Sequence, residues 1–519
     1  MRRLLGELGV TKPSLFIKRI ASMEHATVAA ALLATPFAAA LLPLTLRLLP
    51  VISRVGQLIV DFRAADPTPS ACYQFETRLH DALRELGRIL VEWTYNHLEP
   101  DDRHLMPDHL RFDHDWYRRR DKTPNRCVAT RFGTITLWRY LYQPIHGVER
   151  SIFPLEIRLG MAAGRATPAL AERVARAAAD STQGTVLADL RRDQGVAWSV
   201  ATLRAVIAAT WEGMAPHLHA AQVAQVLAWL NQAAASRGSR KPVLAAGRDG
   251  VFVPIRGDAS YREAATATLS VYDRAGRRLG TVYLGRMPEP GQGAMSGQLT
   301  RLITDVLAGW SGPLPRLAYV TDAGHHPTGY YERVLRPMRH PSRPAERLEW
   351  VWVIDYYHAS EYIHKLSGAL IRDPHRAQAW AWKMCRWLKS KPRAISRILH
   401  SAAAIRSRRV VPGQSKAYRD AYGYLRDHIK HLDYVRYRRD HLPIGSGVTE
   451  AACKTVFSQR LKRSGMAWSV EGGQRIVDLR VIHLSGVWSQ VHQAYLQSKR
   501  LPEERTQGRI EAKMPRNAA

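Results

Sequence analysis

Between Pro242 and Ile354 the apolar residues fall into short runs, and the order of those runs limits what the chain can become more than any other feature. Pro242 to Ala246 leads into Val251 to Ile255. Ala267 to Tyr272 follows, then an Ala275-Gly276 turn and Leu279 to Leu284. Three strands in a row imply an antiparallel meander. A helical period from about Gly297 to Gly309, the run Leu317 to Val320, a short helix near Tyr330 to Pro337 and the strand-like Trp350 to Ile354 complete the order β-β-β-α-β-α-β. That order predicts a mixed sheet flanked by helices, as an α/β ribonuclease-H-like core requires.

The flanks are helical. From Phe75 to Leu98, Phe75, Leu79, Ala82, Leu83, Leu86, Ile89, Leu90 and Trp93 recur at three- and four-residue steps, the period of an amphipathic helix. His97, His104, His109 and His114 follow at spacings that match no zinc template and read as solvated loop residues. Trp116-Tyr117-Arg118-Arg119-Arg120 comes next, then an alternation through Val128, Phe132, Ile135, Leu137 and Tyr140. Ala169 to Ala179, Gly184 to Asp193 and Val200 to Trp211 read as helices. The last two, joined across Gly195 with Ser199 as N-cap, have a helix-turn-helix layout in which Thr202 and Arg204 would face DNA. Ala234 to Lys241 is the clearest linker, and after Arg372 helical patterns return without strands.

These textures divide the chain into an Ala/Leu-rich extension (1–65), a helix with a short β region (66–160), and a mainly helical, helix-turn-helix-like DNA-binding region (161–233). The first part of the core (242–364) follows, then a basic helical insertion (365–443), a closing segment (444–490) and a polar tail (491–519). Ala26 to Leu46 carries no charge and is about the length a membrane span needs. Pro36 and Pro43 interrupt it, and proline inside a helix costs about 3 kcal/mol. A buried Ala/Leu-rich helix, or an overlong start preceding Met23, is the expectation, and no membrane partner is expected.

Charge narrows the partners. The 519 residues include 76 Lys and Arg against 45 Asp and Glu, a formal net charge of +31, which excludes an acidic or charge-neutral metabolic enzyme and points to a polyanion. From Ile371 to Val470 there are 22 cationic residues and 6 acids, about half of the excess in about a fifth of the length. The 4 cysteines are scattered, with no Cys-x-x-Cys pair, so a reducing, cytoplasmic compartment is expected and a disulfide framework is not.

Against that background three acids stand out. Asp249 sits beside the first strand in Gly247-Arg248-Asp249-Gly250, Asp322 closes the run Leu317 to Val320, and Glu450 follows a Gly445-Ser446-Gly447 turn that opens a helix. Carboxylates converging from two strand ends and a helix suit a pair of Mg or Mn ions and phosphodiester chemistry. The same residues also suit ordinary turns and an ordinary Glu450–Lys454 ion pair. At steps of four, three and four, Glu450, Lys454, Phe457 and Leu461 would share one helix face. Asp355, in Asp355-Tyr356-Tyr357-His358, reads as a helix cap with His358 packed near the site. The glycines of Gly291 to Gly297 are wrongly spaced for a dinucleotide site, and no Gly-x-Ser-x-Gly elbow is present, so small-molecule nucleotide or serine-hydrolase chemistry is set aside.

With Arg248 to Ile255, Thr321-Asp322-Ala323-Gly324, Ile354 to His358, and Gly445 through Glu450, Lys454, Arg460 to Met466 and Trp468, the chain resembles the DDE transposases of bacterial insertion sequences. The resemblance is to the ISKra type, distantly similar to Mutator-like transposases, over roughly Phe75 to Leu484. It implies that Asp249, Asp322 and Glu450 are the catalytic and metal-binding acids for two Mg (or Mn) ions, that Asp355 and His358 are accessory, and that the segment from about Lys365 to Pro443 is an insertion. The expected activity is cutting of element ends and joining of the 3′-hydroxyl to target DNA. Lys454, Arg460, Lys462, Arg463 and Arg204 would hold DNA, and Trp468 would stack on a base. The expected partners are double-stranded terminal repeats and target DNA, bound by a homodimer or larger synaptic assembly at the bacterial nucleoid. The competing readings are an inactive transposase-derived DNA-binding protein and another ribonuclease-H-like nuclease. The family's cysteine pair is absent from Tyr142 to Gly147, and Arg248 stands where a small residue is usual.

Overall fold

The computed structural model describes residues 38–146, 150–408 and 416–504. The start of the Ala26–Leu46 segment and the tail beyond residue 504 lie outside the described residues. The described residues form two compact units, one within 38–174, 183–210 and 498–504, the other within 175–182 and 211–497.

In the first unit, helices Ala38–Ala64 and Pro69–Asn96 form a hairpin. Leu44, Leu48, Val51, Val55 and Leu58 recur at steps of four and three and pack against Ala82, Leu86, Ile89 and Trp93. Arg47 pairs with Glu92 at 3.2 Å near one end, and Phe62 stacks on Phe75 at 4.5 Å near the other, so the helices run antiparallel. This seam carries the first helix straight through Pro43 and Pro50, where the sequence predicts interruption at Pro43. Within it, Leu41–Ala64 is the one helix among the described residues long and apolar enough to cross a membrane by length and composition, and it lies further along than Ala26–Leu46.

Strands β1 (His109–Phe112), β2 (Asp115–Thr130) and β3 (Gly133–Pro144) make an antiparallel meander. Its open edge at β1 is extended by Glu503–Glu504, so part of the expected tail is a strand. The helix-turn-helix layout is present: helix Gln183–Gln194, Gly195 at φ 64, and Ser199, whose Oγ accepts the Thr202 N–H at 3.1 Å. The helix it caps does not stop at Trp211 but continues to Ala235, through Pro216.

The second unit is a mixed α/β fold around a five-stranded sheet. Its strands are β4 (Val243–Val253), β5 (Arg262–Tyr272), β6 (Arg278–Arg286), β7 (Arg316–Thr321) and β8 (Trp350–Ile354), in spatial order β8-β7-β4-β5-β6. The meander β4-β5-β6 is antiparallel, while β7 and β8 run parallel to β4. The two short runs read in the sequence as Pro242 to Ala246 and Val251 to Ile255 are one strand, so Asp249 lies within β4 and not beside it. An unpredicted two-stranded hairpin, Arg339–His340 with Arg343–Arg347, precedes β8.

Alternation along these strands gives the sheet two unlike faces. Leu244, Ala246, Leu269, Val282 and Leu284 belong to the apolar core that helix Gly293–Gly309 closes with Met295, Leu299, Leu302, Ile303 and Val306. The opposite face carries Gly247, Thr266, Thr268, Ser270 and Gly285. Helix Val470–Leu484 and the Glu450 segment lie over it, so close that a Cβ on Gly285 would stand 2.6 Å from Val477 and 3.1 Å from Val456.

Between β8 and Glu450 the described residues form the helices Tyr356–Leu370, Pro374–Ser390, Ala394–Arg408, Lys416–Asp427 and Tyr434–Arg439. These helices share the sheet's apolar core through Leu366, Ala381, Leu388, Ile398, Leu425 and Tyr434.

Candidate active site

The register decides which acids meet. Gly247 on β4 pairs with Val320 on β7 in parallel, and the ladder ends there; Asp249 and Asp322 each follow two residues on, near enough for the Asp322 charge to raise the Asp249 carboxyl. Ile354 on β8 pairs with Thr321, which sets Asp355 beside Asp322 on the other side. Asp322 and Asp355 thus follow the carboxyl ends of β7 and β8, where ligands of open α/β sheets bind, while Asp249 lies inside β4 just past the end of its parallel ladder.

Asp249 is held from both ends. Its Oδ1 accepts the Gly250 N–H at 2.7 Å, and its Oδ2 accepts the Cys453 S–H at 3.3 Å. Burial raises its pKa from 3.8 to about 6, and the nearby charges of Asp322 and Glu450 add to the rise. Burial, with the Asp249 charge beside it, pushes the Cys453 thiol well up, which keeps it a donor. Asp322 bends into the turn after β7: its Oδ1 accepts the Gly324 N–H at 2.9 Å, and its own carbonyl accepts the Tyr424 hydroxyl at 3.0 Å.

Glu450 lies on the exposed side of the short helix Gly447–Ala452. That helix is pinned to the sheet by the Thr449 hydroxyl, 2.8 Å from the Thr268 hydroxyl over Gly247. A Cβ on Gly247 would stand 2.1 Å from Thr449 Oγ1, so only glycine lets the helix sit this low. Its start is pinned by Asp355, which is 3% exposed. Asp355 Oδ1 caps the next helix by accepting the His358 N–H at 2.9 Å, while Oδ2 accepts the Ser446 hydroxyl at 2.7 Å and the Ser446 N–H. The expected cap is therefore present, and it also ties β8 to the turn that opens the Glu450 helix. His358 lies against the rings of Tyr362 and Tyr424 and 3.9 Å from Glu361.

Several expected positions are corrected. A π-helical turn over Cys453–Ser458 shifts the helix phase by about one residue. Glu450 and Lys454 are therefore exposed while Phe457 and Leu461 are buried, and the four do not share a face. Arg460 is not available to phosphate: it is 1% exposed, its Nε donates to the Ala178 carbonyl at 3.0 Å, and burial lowers its pKa to about 10. Trp468 is also engaged, its Nε1–H donating to Leu461 O at 3.0 Å with the Arg460 guanidinium 5.0 Å over its ring. Arg248 points to the opposite face from Asp249, where it is buried, bonded to Ser296 and Gln292 and 4.8 Å over Tyr330. It does not adjoin the acids.

Lys454, Lys462 and Arg463 are exposed, Arg463 anchored on Gln459 O and Asp180 O. Arg204, in the first unit, is exposed and bonded to Gln183. The sequence reading missed Cys453, Ser446, Thr449 and Tyr424. Cys453 and Ser446, three after and four before Glu450, carried the signal of helical spacing, whereas Thr449 and Tyr424 did not.

Among the described residues no group of three or more His, Cys, Asp or Glu is close enough to hold a metal ion as placed. The donor chemistry nonetheless fits a hard divalent cation: all three groups are carboxylates, and one is raised by burial and by the charges of the other two. No family model matches the chain, and no curated protein matches it.

Proposed function

We propose that the chain is a DNA transposase of the insertion-sequence DDE kind, of the ISKra type, acting in the bacterial cytoplasm at the nucleoid. The observation that carries this reading is the closeness of Asp249 and Asp322, carried by adjacent parallel strands, with Glu450 on a helix packed over the same face. An antiparallel three-strand meander extended by two parallel strands, in the order β8-β7-β4-β5-β6, is the topology a ribonuclease-H-like fold would have. The basic helical segment between β8 and Glu450 stands where an insertion in that fold would fall.

Asp249 and Asp322 would hold Mg or Mn, with Glu450 completing the set for a second ion. When bound, such ions stabilise the attacking and leaving oxygens of an in-line displacement. The chain's own residues do the positioning. Cys453 and Gly250 fix the Asp249 carboxylate, Gly324 fixes Asp322, and Asp355 and Thr268 set the height and register of the Glu450 helix. Lys454, Lys462 and Arg463 offer exposed cations to phosphates. The capped helix beginning at Val200 would contribute Arg204 to recognition of the terminal repeats, and two ends call for a dimer or larger assembly.

The test is Mg- and Mn-dependent nicking and strand joining on duplexes carrying the element's ends, comparing wild type with Asp249→Asn, Asp322→Asn and Glu450→Gln. Loss of nicking in all three with DNA binding retained supports the reading. A wild type that binds without cutting indicates a DNA-binding derivative, and cutting without joining indicates another nuclease of the same fold.

A further inference from the structure

The run Trp116 to Arg120 takes no part in the site above, and the first unit's sheet divides it in two. Tyr117 and Arg119 face inward: both are buried, and the Arg119 guanidinium donates to the Arg103 and Met106 carbonyls and to the Asp108 carboxylate. Trp116, Arg118 and Arg120 face the other way. Register adds neighbours to that outer face, because Trp116 is opposite Arg111, Arg118 is opposite His109 on one side and Gln143 on the other, and Glu503 is opposite Arg111.

We infer that this sheet face, built on Arg111, Trp116, Arg118 and Arg120, is a binding surface for the phosphate backbone of duplex DNA, separate from the catalytic acids. Arg111, Arg118 and Arg120 are all exposed, and among the described residues Arg111 and Arg118 have no side-chain hydrogen bond or ion pair. Arg120 is splayed on the sheet by a 2.7 Å bond from its Nε to Gln143 Oε1, which leaves its terminal amino groups free to donate outward. Arg118 and Arg120 stand two residues apart on one strand, about 6.7 Å, and Arg111 flanks them across β1. Among the described residues the register places one acid, Glu503, opposite Arg111, and Asp121 follows Arg120 where the register shifts. An exposed face that merely solvates a sheet mixes both signs. This one concentrates guanidinium groups around an indole on a rigid platform, and guanidinium is the side chain suited to phosphate.

The inference extends the DNA-acting reading without using its acids. The experiment uses the full chain and a fluorescein-labelled 20-base-pair duplex of mixed sequence, with binding followed from 50 to 300 mM NaCl. The Arg111→Gln/Arg118→Gln/Arg120→Gln variant is expected to weaken binding about 10- to 100-fold at low salt and to flatten the log–log salt slope by about 2 to 3, near 0.9 for each phosphate no longer neutralised. Arg119→Gln, from the buried side of the same run, is the contrast: it lowers the melting temperature and leaves the salt slope of the folded protein unchanged. An unchanged affinity and slope in the triple variant overturns the inference. So does a variant that loses binding to phosphatidylserine vesicles but not to the duplex. Nicking by the Asp249→Asn variant reads the catalytic proposal separately, so the two can fail independently.

Discussion

The two faces of the five-stranded sheet are built to different ends. One buries Leu, Val and Ile against helix Gly293–Gly309, and even Arg248 is absorbed there by Ser296, Gln292 and the Tyr330 ring. The other gives up apolar area for Gly247, Thr268 and Gly285, and a helix sits on it at a height that no side chain at 247 would permit. The first face holds the unit together, since burial of apolar surface is the main favourable term in folding. The second places the acids, because small residues let a helix approach and hydroxyls fix its register.

That division makes separable predictions. The largest effect belongs to Asp249→Asn, expected to lower nicking by about 10³-fold or more, as loss of a preorganised charge does. In the absence of metal the same change is expected to raise stability at pH 7 by on the order of 2 kcal/mol, since it removes a buried, repelled charge. Leu302→Ala on the other face should do the reverse. It costs about 2 to 5 kcal/mol in denaturant unfolding and leaves the turnover of the folded fraction unchanged. If Leu302→Ala impairs nicking at temperatures where it remains folded, the division fails.

Gly247→Ala tests the height of the helix. The added methyl meets Thr449 Oγ1, so nicking should fall about 10²-fold, the scale of an ångström's misplacement. Thr449→Ala, made in addition, should restore part of it, and a double-mutant cycle with no coupling would refute the contact. Asp355→Asn should act more weakly, losing charge-assisted bonds to Ser446 worth about 1.5 to 3 kcal/mol. Ser446→Ala should reproduce its effect on nicking but spare the His358 cap, which Asp355 supplies by Oδ1.

The pH dependence follows from Asp249. Its folded pKa, about 6, lies above the ordinary 3.8. The group therefore favours the folded state most below about pH 4, and that contribution is lost as pH rises through about 6. Melting without metal should accordingly fall across that window in wild type and not in Asp249→Asn. Stabilisation by added Mg should grow across the same window. The smallest effect is expected for Arg248→Met, which should leave nicking within about threefold and shift stability by no more than about 1 to 2 kcal/mol, because a buried charge is replaced by an apolar side chain of similar length. A large loss of nicking there would give Arg248 a part in the site.

Much of this was legible along the chain. The β-β-β-α-β-α-β order, the strand Trp350 to Ile354, the cap at Ser199 and the acids Asp249, Asp322 and Glu450 follow from periodicity and from local charge, which are properties of neighbours in sequence. Boundaries were less so. Asp249-Gly250 reads as a turn yet lies inside β4, because continuous pairing with Thr266 and Ala265 of β5 outweighs the weak strand preference of glycine. Pro43 sits inside a helix because that helix's seam of Leu and Val, packed against Ala82, Leu86, Ile89 and Trp93 of a second helix, offsets the lost hydrogen bond.

What needed the tertiary structure was orientation. Lysine and arginine at 454, 460, 462 and 463 look alike as a basic cluster, but a π-helical turn rotates the segment and buries Arg460 while leaving the others outside. Tyr424 meets the Asp322 carbonyl from 102 residues away, a contact that no local pattern encodes. The sequence by itself determined most strands and helices of the five-stranded unit and which residue types could do chemistry, because both depend on near neighbours. Only the fold decided which acids share a face and which cations stay in water, because strand register and helix phase are set by packing between distant segments.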